Sequence, residues 1–219
     1  MSYVDATAHV AQRIQEVRML CATLSSESVP VETQKSIRGL VYVALFGMYE
    51  RTMAMCVYRA IELGGGHTLA IGALHPGMQA FALRTDFESL RAVGPDKLWS
   101  KMRDLLARVR SSEVASLSSV FPAGGSFMRP RQLALIWELF QLPGEPWPTK
   151  SSIDRIHELV DARNNVAHGA EGAAERGARV TNDEIIKRAD EVEALCLHIV
   201  AAFESGAVEA SHFRVLSNG

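Results

Sequence analysis

Apolar residues recur every three or four positions along almost the whole chain, and this spacing limits the possible folds more than any other feature. The most demanding stretch is residues 31–63, which are apolar around most of a helix's circumference and are followed by Gly64-Gly65-Gly66. Such a helix usually lies at the centre of a bundle, because all of its sides need burial. No apolar–polar alternation is long enough to build a sheet. The sequence therefore predicts an all-α antiparallel helical bundle.

The same spacing predicts five further helices. Two of them are expected to begin at capping residues, one at Ser151 or Ser152 and one at a capping box formed by Thr181 and Glu184. The predicted helices cover residues 3–25, 96–118, 131–140, 151–168 and 181–206.

The segments between these helices are rich in glycine and proline, and we expect them to be irregular. Residues 64–95 are predicted to form loops with one short helix at most, 121–130 and 169–180 to form loops, and 208–216 to form a small strand or a tail. We expect a single domain over residues 1–219, with the following parts: a core at about 36–63 and 131–205, an irregular insertion at 64–130 and a tail at 207–219.

Composition excludes several classes of protein. With 47% apolar and 22% charged residues, the chain is too apolar to be disordered. Its longest apolar run with almost no charge, residues 39–49, is about half of the roughly 20 residues that cross a bilayer, so we expect no membrane association. Cys21, Cys56 and Cys196 are too scattered for a disulfide framework, and no signal peptide is recognisable. These features predict a reduced, cytoplasmic protein.

Charge is distributed unevenly along the chain, although the net charge is only −2. Residues 84–131 contain nine basic and five acidic residues, whereas residues 171–219 contain five basic and nine acidic ones. Eighteen of the 23 basic residues are arginine, which is the residue best suited to bidentate phosphate contacts. The basic stretch is compatible with nucleic acid, and a solvated helix face balanced by nearby acids explains it equally well.

One motif stands out from the helical pattern: the stretch Asp-Ala-Arg-Asn-Asn-Val-Ala-His-Gly at residues 161–169, where a helix is predicted to end. Asn164 and His168 are four residues apart, so their side chains are neighbours on one face, and the Asn amide is able to orient the imidazole. Arg163 lies beside this stripe and is long enough to reach the ring. A His on the last turn of a helix is favoured as the imidazolium. A fixed cation next to such a ring suits proton transfer at a phosphate.

The segment 159–169 resembles the signature of HEPN domains, in which Arg, a polar residue and three variable residues precede His. The residues of this segment are similar to those of the RiboL-PSP-HEPN or MAE-type HEPN subgroup. The long apolar helix with Tyr49-Glu50-Arg51, and the short helix and proline-rich connector before the motif helix, resemble the same subgroup. The resemblance covers about residues 36–205.

This resemblance implies a metal-independent endoribonuclease, commonly a toxin or an anti-phage defence effector, that dimerises so that two motifs face each other. Arg163 and His168 would be catalytic and Asn164 supporting. His168 would move protons while the ribose 2′-hydroxyl attacks the adjacent phosphate, and Arg163 would stabilise the phosphorane. The implied partners are RNA, a second copy of the chain, and an antitoxin or defence-system protein.

Other candidate residues have weaker support. Glu50 is expected to orient His168 or Arg163, and an ordinary ion pair is an equally good interpretation. Arg129 and Arg131 are candidates for contact with an RNA backbone or for plain surface charges at a helix start. His157 is interpreted as structural, because no carboxylate or cysteine pattern accompanies it.

No metal site and no cofactor is expected. His67 and His75 flank a glycine-containing stretch, but two histidines without further ligands are a poor metal signal. Gly64-Gly65-Gly66 lacks the Gly-Lys-Ser/Thr that completes a phosphate-binding loop.

Two alternatives to the ribonuclease remain open at this point. One is a non-catalytic HEPN interaction module that binds RNA, nucleotide or a partner protein. The other is a plain helical adaptor in which the motif is a helix C-cap, with a structural Arg–Asp pair and a solvent-facing His.

Overall fold

A computed structural model describes residues 2–24, 28–117 and 128–215, and most of these residues are helical. No strand occurs in these residues, so the all-α prediction is confirmed. The α-helices, in chain order, are α1 (Tyr3–Thr23), α2 (Val31–Gly66), α3 (Pro76–Ala82), α4 (Arg84–Ala92), α5 (Pro95–Val109), α6 (Pro130–Phe140), α7 (Ser151–Ala167), α8 (Ala173–Gly177) and α9 (Asn182–Gly206).

Two helices begin at capping boxes, in which side chains satisfy the free N–H groups of the first turn. The amide of Asp5 donates to Ser2 Oγ at 3.1 Å at the start of α1. At the start of α9 the amide of Thr181 donates to Glu184 Oε2 at 2.7 Å, and the amide of Glu184 donates to Thr181 Oγ1 at 3.2 Å. The predicted Thr181–Glu184 box is therefore confirmed.

The segment predicted to be irregular is more helical than expected. Residues 64–95 contain a 3-10 helix at Ile71–Ala73 as well as α3 and α4, and α5 follows directly. The prolines of this segment, Pro76 and Pro95, each lie in the first turn of a helix. Proline is favoured there because its fixed φ suits a helix and because the N–H groups of the first turn have no acceptor within the helix, so the N–H that proline lacks costs no hydrogen bond. The expectation of at most one short helix was therefore wrong.

Four local boundaries also differ from the prediction. The helix predicted over 96–118 ends at Val109. The helix expected to stop before Gly64-Gly65-Gly66 includes all three glycines. Ser151 and Ser152 lie inside α7, which begins after Lys150 without a side-chain cap. The loop expected at 169–180 contains the short helix α8.

The two remaining loop and tail predictions fall partly outside the described residues. Residues 121–127 of the predicted loop at 121–130 are not described. In the predicted strand or tail at 208–216, a 3-10 helix covers Ala210–Phe213 and Arg214 forms an isolated bridge with Leu74.

Contacts group the chain into two compact units. The first draws on residues 1–56, 122–134 and 145–201, and the second on 57–121, 135–144 and 202–219.

Ion pairs and hydrogen bonds show that helices of the first unit run antiparallel. Arg18 of α1 lies 2.6 Å from the carboxylate of Glu193, and Asn182 at the start of α9 donates to the carbonyl of Leu24, just after α1. From Arg18 to Leu24 the chain of α1 advances, while its contacts on α9 move back from Glu193 to Asn182, so α1 and α9 are antiparallel. The pairs Arg155–Glu191 and Arg188–Glu158 establish the same relation between α7 and α9.

Helix α2 supplies much of the buried surface. Its Tyr42, Leu45, Phe46 and Tyr49 are all at most 1% exposed. By length and composition α2 is apolar enough to cross a bilayer, yet 61% of its most apolar window is buried inside the protein. A mostly buried apolar helix is what the core of a bundle requires.

A glycine allows the start of α2 to approach the chain that follows α7. A Cβ atom on Gly39 would lie 1.9 Å from the carbonyl oxygen of Ala173 in α8, which no real contact permits. Gly47, two turns further along α2, is a matched contrast, because its Cβ would meet no atom within 4 Å.

We expect Gly39→Ala to lower the free energy of unfolding by about 1–3 kcal/mol through overpacking. Gly47→Ala should raise it by up to about 1 kcal/mol through helix propensity. Urea denaturation followed by circular dichroism measures both changes. Equal stability of the two variants would contradict the described contact at Gly39.

The second unit contains a buried histidine without a visible partner. His75 is 1% exposed, and neither ring nitrogen has a hydrogen-bond partner among the described residues. Burial lowers the pKa of His75 below the usual 6.5. Between the folded-state pKa and 6.5 the unfolded chain therefore binds more protons than the folded chain.

Stability should consequently fall as the pH drops below about 6.5, by at most about 1.4 kcal/mol per pH unit for this one group. His75→Leu should be more stable than wild type and should lose stability less steeply between neutral and mildly acidic pH. Thermal unfolding at a series of pH values provides the test. An unchanged slope in the variant would show that His75 is not the group that titrates.

Candidate functional site

The motif histidine lies where α7 stops. Helix α7 ends at Ala167, and the amide of His168 donates to the carbonyl of Asn164 at 3.0 Å. Gly169 follows with φ of +70°, a left-handed conformation that glycine adopts without strain. The glycine thus ends the helix directly after His168 and leaves that side chain exposed.

Arg163 is held in place by two neighbours. Its Nη1 atom donates to Asn164 Oδ1 at 2.9 Å, and its guanidinium carbon lies 5.0 Å from the centre of the Phe46 ring. Phe46 is only 1% exposed, so the aromatic support is itself fixed in the core. A cation over such a ring is attracted to its π-face. The guanidinium is therefore half-buried and oriented.

His168 has no comparable restraint. Its ring forms no hydrogen bond and no ion pair with any residue that the structure describes. Asn164, expected to orient this imidazole, instead accepts from Arg163. A single chain thus holds the guanidinium of Arg163 in place, whereas the imidazole of His168 has no partner among the described residues.

Glu50 lies on α2, one turn after Phe46, whose ring supports Arg163. Residues four apart share a helix face, and Glu50 is half-buried. Glu50 thus shares the helix face of Phe46, and its orienting role stays a prediction.

Arg129 and Arg131 have different surroundings. Arg129 Nη2 lies 2.9 Å from Asp161 Oδ1, and Arg129 Nη1 lies 3.4 Å from His157 Nδ1. This arginine is therefore tied to the exposed face of α7 that also carries His168. Arg131, at the start of α6, is exposed and forms no ion pair with a described residue.

A carboxylate of α7 that the sequence analysis did not single out, Glu158, has several polar partners on other helices. Glu158 Oε1 accepts from the Tyr42 hydroxyl at 2.6 Å and lies 3.0 Å from Arg188 Nε. Arg155 also pairs with Glu158, and Arg176 Nη2 lies 3.9 Å from it. All four charged side chains are 12–22% exposed. This network, here called the Glu158 network, joins α2, α7, α8 and α9.

No group of three or more His, Cys, Asp or Glu side chains is placed to hold a metal ion within the described ranges. His67 Nε2 lies 2.8 Å from the carbonyl oxygen of Val208, and His75 is buried without a ligand neighbour. The two histidines therefore have separate surroundings.

Two cavities lie elsewhere in the first unit. One of about 600 Å³ is lined by Arg38 and residues 178–184, and one of about 560 Å³ lies between α1 and α2. Neither is lined by Arg163, Asn164 or His168.

The HEPN_MAE_28990-like HEPN family model matches residues 6–211 of the chain. Comparisons with curated proteins and with solved structures give no match. The matched range covers nearly the entire sequence, including the motif helix and the supporting face of α2. The chain therefore belongs to the HEPN family, whose domains are generally nucleases or other RNA-related modules.

Proposed function

We propose that this protein is a metal-independent endoribonuclease whose site is built from Arg163, Asn164 and His168. The observation that carries the proposal is the arrangement at the end of α7. The guanidinium of Arg163 is restrained by Phe46 and Asn164. Five residues later, the imidazole of His168 is exposed and has no partner among the described residues. A fixed cation and a free acid–base group are the two parts that phosphodiester transesterification needs.

In the proposed reaction His168 takes the proton of the ribose 2′-hydroxyl. The 2′-oxygen then bonds to phosphorus, and the bond from phosphorus to the 5′-oxygen breaks. The leaving 5′-oxygen takes a proton from an imidazolium. The products are a 2′,3′-cyclic phosphate and a 5′-hydroxyl. Arg163 stabilises the negative charge that grows on the phosphorane.

A second copy of the chain is part of the proposal. The motif residues do not line either of the two cavities described above, and no hydrogen bond joins Arg163 to His168 among the described residues. Two chains with their α7 ends facing each other would enclose a cleft and supply one imidazole as base and the other as acid. Glu50 would orient Arg163, and Arg131 would contact the RNA backbone.

The proposed biological setting comes from the family resemblance. We propose a cytoplasmic toxin or anti-phage effector that is restrained by an antitoxin or another defence-system protein. Cys21, Cys56 and Cys196 are free and buried, which agrees with a reducing compartment.

Arg163→Ala and His168→Ala should each reduce RNA cleavage by about 10²–10⁴-fold, because each removes one part of the transition-state stabilisation. Cleavage by the wild type should persist in EDTA and leave cyclic-phosphate ends. End-labelled RNA resolved on denaturing gels measures rate and product ends. Arg59→Ala and His212→Ala change the same residue types elsewhere and should leave the rate within a few-fold.

The non-catalytic module remains the second candidate, and one observation favours it. The Arg163 guanidinium already has two intramolecular neighbours, Asn164 and Phe46, which is also what a purely structural arginine would have. If RNA binds but stays intact with wild type and both motif variants alike, this second function replaces the first.

A further inference from the structure

The cavity between α1 and α2 has features of a ligand site that is separate from the motif. Its volume of about 560 Å³ falls in the range of about 300–1,000 Å³ that is usual for small-molecule sites. His9, Arg13 and Arg51 line it together with apolar residues. All of these residues belong to the first unit.

The charge of the lining favours an anion. Glu16 is the one acidic side chain among the lining residues, and it is paired with Arg13 at 2.7 Å. Arg51 is exposed and forms no hydrogen bond or ion pair with a described residue. Even with a neutral His9, two guanidiniums face one carboxylate, so the cavity carries an excess positive charge.

His9 adds a hydrogen-bonding group without a partner. Its Nε2 atom is shielded from solvent and has no hydrogen-bond partner among the described residues. Burial first, and then the charges of Arg13 and Arg51, lower the pKa of His9, whereas Glu16 raises it. A neutral imidazole is able to donate to a ligand oxygen after rotation of the ring that lines the cavity.

The other side of the cavity is apolar. Val17 and Met48 are at most 2% exposed and present fixed apolar surface. Gly47 lies between the basic and apolar parts of the α2 lining, and a Cβ atom there would meet nothing within 4 Å. Space therefore exists against the α2 backbone at this point.

We propose that this cavity binds a small organic phosphate, with the phosphate at Arg51, Arg13 and His9 and an apolar or planar body against Val17, Met48 and Gly47. Guanidinium groups match the oxygens of a phosphate in bidentate fashion. Three basic groups correspond better to the three terminal oxygens of a phosphomonoester than to the two of a carboxylate. The volume admits a body up to the size of a nucleoside. This site does not depend on the ribonuclease proposal.

The test uses the full chain and two probes, phenyl phosphate and adenosine 5′-monophosphate, titrated calorimetrically at millimolar concentration. Phenol, adenosine and inorganic phosphate supply the separate halves of each probe and should bind more weakly. Arg51→Gln and Gly47→Met should each weaken binding at least about tenfold. Gly47→Met fills the space beside α2 and, from the open surroundings of its Cβ, should not disturb the fold.

Two control variants separate this site from others. Lys35→Gln removes an exposed cation that pairs with Glu32, and it should leave binding unchanged. His168→Ala should also leave binding unchanged, since the motif lies outside the cavity. Failure of both probes to bind would overturn the proposal. So would binding that is insensitive to Arg51→Gln and Gly47→Met, or binding that only His168→Ala abolishes.

Discussion

The position of the motif helix depends on the half-buried carboxylate of Glu158. One side chain accepts from the Tyr42 hydroxyl and pairs with arginines from α7 and α9. Removing this carboxylate would take a shared acceptor from three partly buried guanidiniums, and losing one partner of a buried pair costs more than the net value of that pair. The Glu158 network therefore fixes the orientation of α7 against α2. Phe46, one turn after Tyr42, lies under Arg163 as a consequence.

The two motif side chains differ in how firmly the protein holds them. Arg163 is restrained on an aromatic face and by a neighbouring amide, so its charge is presented in a defined place. His168 lies beyond the last turn, where Gly169 has ended the helix, and its ring is free of the described residues. A preorganised cation lowers the barrier without reorganisation, whereas a proton carrier has to reach two oxygens in turn. The proposed reaction uses both properties.

The sequence predicted those parts of the fold that follow from local rules. The apolar spacing of residues 31–63 predicted the helix α2, and the Thr181–Glu184 box is present at the start of α9. Both predictions succeed because periodicity and capping act within a few residues. The glycines and prolines of residues 64–95 led to an irregular prediction, yet Pro76 and Pro95 each lie in the first turn of a helix, where proline is favourable.

The candidate site was predictable only in its residue types. Asn164 shares a helix face with His168, yet it bonds to Arg163, because i,i+4 spacing allows a contact without requiring it. Glu158 lies among apolar residues of an amphipathic helix, where sequence alone indicates a solvent-facing charge. Two of its partners, Arg188 and Tyr42, are 30 and 116 residues away, and only tertiary packing reveals them.

The most direct test of the proposed composite site is the RNA-cleavage rate of an equimolar mixture of wild-type and His168→Ala chains after subunit exchange. If the cleft needs an imidazole from each chain, only wild-type homodimers, about a quarter of all dimers, are active, and the mixture should keep about a quarter of the rate of the same total amount of wild type. A mixture that keeps about half of that rate, as expected when each chain acts alone, would contradict a site shared between copies.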